Sequence, residues 1–192
     1  MTSRPLPVAR LVGPRVLVRT TTETDLEEYV RYFTENDAHF GKWDTHDPIT
    51  LTDEWQRARL AHKEDERLTG RGVDLVMTPR AEPQRLIGTI QIRAVVRAPL
   101  FGCAIGYGID ARYEGKGLMR EGVELACRWC FDVLGLHRIE AGCATKNERS
   151  ARLLLRLGFV KEGVQRAYLL INGEWHDHVS TSLINDAWSP ET

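Results

Sequence analysis

The residues Arg112-Tyr113-Glu114-Gly115-Lys116-Gly117-Leu118 bring glycines and cations together at one point of the chain. They follow a short apolar segment, Cys103–Asp110 (CAIGYGID), and open a long amphipathic one. Where a strand gives way to a helix, several backbone N–H groups lack a partner inside the helix. With the positive end of the helix dipole they can hold a phosphate or pyrophosphate. Gly115 and Gly117 would let such an anion approach the backbone with no side chain in the way, and Lys116 and Arg120 would add positive charge. Gly-x-Gly between strand and helix is as often a plain tight turn, so these residues alone leave both readings open.

Other groups carry weaker signals. Cys127-Arg-Trp-Cys130 has the C-x-x-C spacing of zinc and redox sites, but both cysteines lie on an apolar helical stripe and no second pair exists, which favours core packing over a metal. His176-Asp177-His178 puts two imidazoles on one strand face without a third ligand in sequence reach; a polar role toward substrate fits them better than a metal. Arg149, Arg152 and Arg156 recur at helical spacing as a basic stripe. Between about His39 and Pro48 the chain is rich in Asp, His, Gly and Trp and has no period, which reads as a functional loop holding Trp43, Asp44 and Asp47.

The elements that must position these groups follow from periodicity. Pro14–Thr20 alternates as a first strand, and Thr22 to Asp25 opens a helix whose apolar face is Leu26, Tyr29, Val30 and Phe33. Thr52 caps a second helix reaching toward Leu68. Val73–Met77, Arg85–Arg93 and Cys103–Asp110 read as strands. A long helix from Gly117 to about Leu134 carries the stripe Met119, Val123, Cys127, Cys130 and Leu134, and Gly135 stops it. Arg138–Ala144 reads as a strand, and Asn147–Leu157 as a helix that Asn147 caps and Gly158 closes. Asn172-Gly173 between Ala167–Ile171 and Trp175–Ile184 is a hairpin signal, because both turn residues need positive φ.

With 192 residues the chain has the length of one domain. Its 42% hydrophobic and 28% charged residues furnish a sizeable core and exclude disorder as the main state. The 26 basic and 27 acidic residues leave a net charge of −1, which speaks against a protein held to nucleic acid by phosphate contacts. No apolar run approaches the roughly 18 residues of a membrane span. MTSRPLPVAR lacks the hydrophobic core of a secretory signal, and four cysteines suit a reducing compartment, so a cytoplasmic protein is expected.

Arg112-x-x-Gly115-x-Gly117 at a strand-to-helix junction resembles the acetyl-CoA pyrophosphate loop of the GNAT acetyltransferase superfamily. Asn147-Glu-Arg-Ser150, followed by Leu157-Gly158-Phe159, is similar to the N-x-x-S…L-G-F pattern of the helix that flanks the cofactor in that family. Gly115-Lys-Gly-Leu-Met119, His137-Arg-Ile139, Lys161-Glu-Gly163, Tyr168-Leu-Leu-Ile171 and Asp177-His-Val179 look like its ribosomal-protein-alanine N-acetyltransferase branch. The resemblance runs from about Pro14 to Trp188 and is densest from Cys103 to Ile184.

The resemblance implies an α/β (α+β) fold: a single domain over 1–192, core about 14–188, with a strongly bent mixed sheet, flanking helices and a C-terminal β-hairpin. It implies acetyl transfer from acetyl-CoA to the N-terminal amine of a protein, in that branch a ribosomal protein. The same chemistry on a small amine (antibiotic, polyamine or amino acid) is one alternative, and a CoA-binding regulatory module without turnover is another. No metal, nucleic acid or membrane is expected, and either a monomer or a homodimer. Tyr107, Gly108 and Ile109 would lie beside the pantetheine arm, with Asn147 and Ser150 on its other side. Arg112 and the N–H groups of Gly115, Lys116, Gly117, Leu118 and Met119 would serve the pyrophosphate, and one arginine of the stripe the 3′-phosphate.

An α-amine, with an ordinary pKa of about 8, is partly neutral near pH 7, so a base need only help. Glu140, on the strand bordering the cleft, is the expected base. Many relatives carry a glutamate where this chain has Ala104, and a tyrosine acid where it has Leu154. Ser150 is the substitute proton donor, with Tyr168 behind it. Trp43, Asp44 and Tyr168 are expected on the acceptor side, where carboxylates at 44 and 47 would attract a cationic terminus.

Overall fold

The computed structural model describes residues 4–44 and 47–189. Alternation produces strand β2, Val16–Thr20, in which Val16, Val18 and Thr20 are buried. It is preceded by a short strand β1, Arg10–Val12. Leu6 and Ala9 are also buried, so the core begins before the Pro14 boundary expected from the sequence. Helix α1, Leu26–Glu35, buries Tyr29 and Tyr32, while Leu26 and Phe33 pack on their flanks. Asp37–Phe40 forms a short helix α2 that overlaps the start of the stretch expected to be irregular, from about His39. Helix α3, Asp53–Leu68, starts where Thr52 accepts a bond from the Trp55 amide at 3.3 Å.

Strands β3 (Val73–Pro79), β4 (Gly88–Val96) and β5 (Gly102–Ile109) follow as an antiparallel meander. Helix α4, Leu118–Asp132, buries the whole expected stripe from Met119 to Cys130. Then come β6 (Arg138–Ala144), α5 (Glu148–Arg156), β7 (Val160–Ile171) and β8 (Glu174–Ile184). Asn172 and Gly173 take φ values of 51° and 83°, the left-handed pair that the hairpin turn requires. β7 begins well before Ala167: it is an exposed edge strand with a register shift between Gln165 and Leu169, so its pattern lacks the alternation that marks a half-buried strand.

Among the described residues, eight strands form one sheet in the order β1-β2-β3-β4-β5-β6-β8-β7. Every neighbouring pair is antiparallel except β5 and β6. That parallel pair is joined only from Gly102↔Arg138 to Ile105↔Ala141. Beyond it, Gly106–Ile109 and Gly142–Ala144 diverge, and the sheet opens into a V. Helices α4 and α5 cover one face, packing Met119, Val123, Cys127 and Leu154 on Val18, Met77, Ile90 and Ile105. Helices α1 and α3 cover part of the other through Tyr29, Tyr32 and Leu60. β3 lies under both layers, which is why VDLVM is buried without a break. Among the described residues, no helix is long and apolar enough to cross a membrane.

Candidate functional site

At the end of β5, Asp110 accepts a bond from the Arg112 amide at 2.9 Å and so turns the chain out of the sheet. Burial opposes its charge, yet the Arg112 guanidinium and amide, with Asn36, hold the Asp110 carboxyl down at about 2. Gly115 and Gly117 then adopt φ values of 71° and 74°, open only to glycine without strain. Among the described residues, none of the backbone N–H groups of residues 115–120 has an acceptor. The carbonyls are gathered elsewhere: Arg15 donates to Lys116 O at 2.9 Å and to Gly117 O at 3.2 Å. The same guanidinium bonds Glu121 at 2.8 Å, and Glu121 also accepts the amides of Arg15 and Val16 at 2.7 and 3.1 Å. A row of orphan amides at the start of a 15-residue helix fits a diphosphate.

The loop's cations are occupied with its own shape. Arg112 is bound to Asp110 at 2.6 and 3.0 Å and to Glu35, which fastens the loop to α1 and engages the guanidinium expected at the phosphate. Lys116 donates to Arg112 O at 2.8 Å and lies 5.1 Å over the Tyr113 ring. The main-chain amides, with Arg120 on the cleft wall, are what the loop leaves open to an anion.

From this loop a cleft of about 1210 Å³ runs up the V between β5 and β6. Tyr107, Gly108 and Ile109 line one side, while Cys143, Asn147 and Ser150 line the other, with Leu118 and Met119 at the loop end. Asn147 is tied to the backbone as expected of a cap, accepting from Ser150 N at 3.1 Å. The Ser150 hydroxyl lies 2.8 Å from the Tyr107 phenol. Burial pushes both the Tyr107 phenol and the Cys143 thiol above their ordinary values, so both stay protonated near neutral pH. Leu154 is fully buried in the core and offers no proton. The phenol that the sequence lacks on α5 arrives instead from β5, because Cys103, Ile105 and Tyr107 share the strand face beneath α4 and α5. That alternation is the signal the sequence offers for it.

On the opposite face lie Arg93 of β4, Ala104 of β5, Glu140 of β6, and His178 and Ser180 of β8. Glu140 stands opposite Ala104 in the parallel ladder, half-exposed, and accepts from Arg138 Nε at 2.9 Å. Arg138 also grips Glu162 at 2.9 and 2.5 Å. Trp43 and Asp44 line the far wall. Asp47 does not share that wall: its carboxylate caps the turn Pro48–Leu51 by accepting Ile49 N at 3.0 Å. Tyr168 sits at the rim, its ring 5.4 Å from that of His178. The hairpin tip reaches the same wall, Asn172 donating to Gly41 O at 2.7 Å. Arg149 pairs with Glu114 of the amide loop, and Arg152 with Glu148 at 3.0 Å.

Cys127 and Cys130 are buried beside Cys103, and burial raises the Cys127 thiol to about 12, so they pack the core. Among the described residues no three His, Cys, Asp or Glu side chains gather as a metal site.

The profile of the Acetyltransferase (GNAT) domain matches residues 15–160. The chain is 34% identical to the [ribosomal protein uS5]-alanine N-acetyltransferase of Escherichia coli (strain K12), covering 96% of this chain and 95% of that protein. It is 36% identical to the probable N-acetyltransferase YjcK of Bacillus subtilis (strain 168), over 91% and 97%. The crystal structure of the ribosomal-protein-S5-alanine acetyltransferase from Vibrio fischeri superposes with a TM-score of 0.89 at 34% identity, covering 95% of this chain and all of the other. The split sheet, its amide-lined loop and these likenesses agree: the chain belongs to the GNAT acetyltransferase family and is an acetyl-CoA-dependent N-acetyltransferase.

Proposed function

We propose that this enzyme acetylates the N-terminal amine of a protein, with a ribosomal protein as the first substrate to test. The observation that carries this reading is a cleft that passes through the sheet, with orphan amides at one end and an acceptor face at the other bounded by Trp43, Asp44 and the hairpin. Its near-full-length likeness to enzymes named for ribosomal-protein alanine acetylation supports the choice of acceptor.

Acetyl-CoA supplies an activated acyl thioester. The amides of Gly115, Lys116, Gly117, Leu118 and Met119 would hold its pyrophosphate, while Tyr107, Gly108, Ile109 and Asn147 would flank the pantetheine. Backbone N–H groups of β5 freed where the parallel pairing ends would meet the developing oxyanion. The Ser150 hydroxyl, backed by the Tyr107 phenol at 2.8 Å, would pass a proton to the leaving sulfur. Asp44 and Glu140 would draw a cationic terminus into the cleft.

The test offers the purified enzyme and acetyl-CoA a library of N-terminal peptides alongside polyamines, amino acids and aminoglycosides, with products read by mass spectrometry. Acetylation confined to peptide α-amines is expected; preference for small amines would overturn the protein-acceptor reading.

A further inference from the structure

His178 is nearly enclosed, with 6% of its surface exposed, and it borders the cleft. In β8, Val179 and Leu183 pack into the core under α4 and α5. His178, Ser180 and Ser182 therefore face the other way, toward the side from which an acceptor must enter. His178 pairs in register with Ala144 at the open end of β6 and with Gln165 of β7. Its Nδ1 lies 3.1 Å from the carbonyl oxygen of His176. A carbonyl only accepts, so Nδ1 carries a proton, and in the neutral ring the lone pair is then on Nε2.

We propose that His178 is the general base of this acetyltransferase, taking the proton of the acceptor ammonium at Nε2 directly or through one water. The assignment rests on the acetyltransfer reading above and goes beyond it in naming the base. The surroundings suit the role. The Tyr168 ring meets the imidazole edge-on, and Gln165 faces it from β7. Asp177, on the opposite strand face, accepts the Ala167 amide at 2.8 Å. His176 of the same strand supplies the anchoring carbonyl, Lys146 and Glu148 flank the cleft beyond β6, and Lys42 and Asp44 stand on the far wall. The rival carboxylate, Glu140, already accepts a bond from Arg138. As a residue type, imidazole, ordinarily about 6.5, is also better matched to an α-amine of about 8 than a carboxylate of about 4.

The step balances. Nε2 takes one proton from the ammonium, and the amine lone pair attacks the thioester carbonyl carbon. The C–N bond forms, the C–S bond breaks, and its electron pair leaves with sulfur. The second amine proton reaches that sulfur through Ser150, and His178 later releases its proton to water.

The test compares wild type, His178→Asn and Glu140→Gln on a peptide acceptor across pH. Asn retains a donor for the His176 carbonyl but has no basic nitrogen, so a structural role survives it and a base role does not. Expected for His178→Asn are unchanged acetyl-CoA affinity by calorimetry, kcat/KM lower by about 100-fold at pH 7, loss of the acidic limb that the wild type shows, and recovery above pH 9 as the ammonium loses its proton unaided. A wild-type profile in His178→Asn, or loss of that limb in Glu140→Gln instead, would overturn the assignment. Failure of the wild type to acetylate any amine would overturn the acetyltransfer reading itself, and small-amine turnover that depends on His178 would sustain the base while changing the acceptor.

Discussion

Arg15 makes no contact within the V between β5 and β6, yet the geometry predicts that it sets the affinity for acetyl-CoA. Its two terminal nitrogens hold the carbonyls of Lys116 and Gly117, and with them the orientation of the amides between. Arg15→Ala removes both bonds while sparing the anchor of α4, because Glu121 still accepts the main-chain amides of residues 15 and 16. The arginine side chain is 53% exposed, so each charge-assisted bond is discounted for solvent to about 0.5–1 kcal/mol. Together they come to about 1–2 kcal/mol, which the loop must then recover from the ligand when it orders. At 1.4 kcal/mol per decade, that weakens acetyl-CoA binding by about 5- to 30-fold. Calorimetric Kd for CoA and steady-state KM for acetyl-CoA measure it. The acceptor KM should stay within about twofold, and Arg15→Lys, able to satisfy one carbonyl, should fall between. An unchanged Kd, or an equal rise in both KM values, would refute the idea that carbonyl tethering preorganises the amides.

Ser150→Ala and Tyr107→Phe each remove the 2.8 Å hydroxyl contact and should lower kcat by about 10- to 100-fold with little change in acetyl-CoA affinity; the double variant should be no worse than the more damaging single one, since both belong to one relay. Asp44→Ala should raise the KM of a peptide acceptor alone, whereas Asp47→Ala should cost about 1 kcal/mol of stability by thermal melt, through loss of a cap, and leave that KM unmoved. Asp110 has a folded-state pKa depressed to about 2, so its stabilisation is fully present above the unfolded value near 4 and is lost as pH falls toward 2. Acid unfolding followed by circular dichroism should therefore show a shallower loss over that window in Asp110→Asn, from a lower starting stability.

Much of the fold was legible because its signals are local. The stripe from Met119 to Leu134, the Asn-Gly turn and the caps at Thr52 and Asn147 each need only a few neighbouring residues, and each stands where the spacing puts it. The amide loop was legible for the same reason. What escaped depends on contacts between residues distant in sequence. Arg15 meets the loop across about a hundred residues, and Tyr107 meets Ser150 across more than forty. No pattern of neighbours announces Glu35 on α1 as a partner of Arg112. Asp44 and Asp47 looked equivalent, and only the bond to Ile49 N separates a wall residue from a cap. β7 was foreshortened because an edge strand has no buried side to impose a two-residue rhythm.

The bond from Asn172 to Gly41 ties two parts of the chain that share no sheet or helix, and it turns the acceptor side from a trough into an arch. A trough can be entered sideways by any stretch of polypeptide, whereas an arch admits an object end-on. A loose chain end slips beneath it; a lysine in the middle of a folded surface has to push its whole backbone against the span. On the protein-acceptor reading proposed above, preference for a chain end would then be a question of threading, ahead of any recognition of side chains.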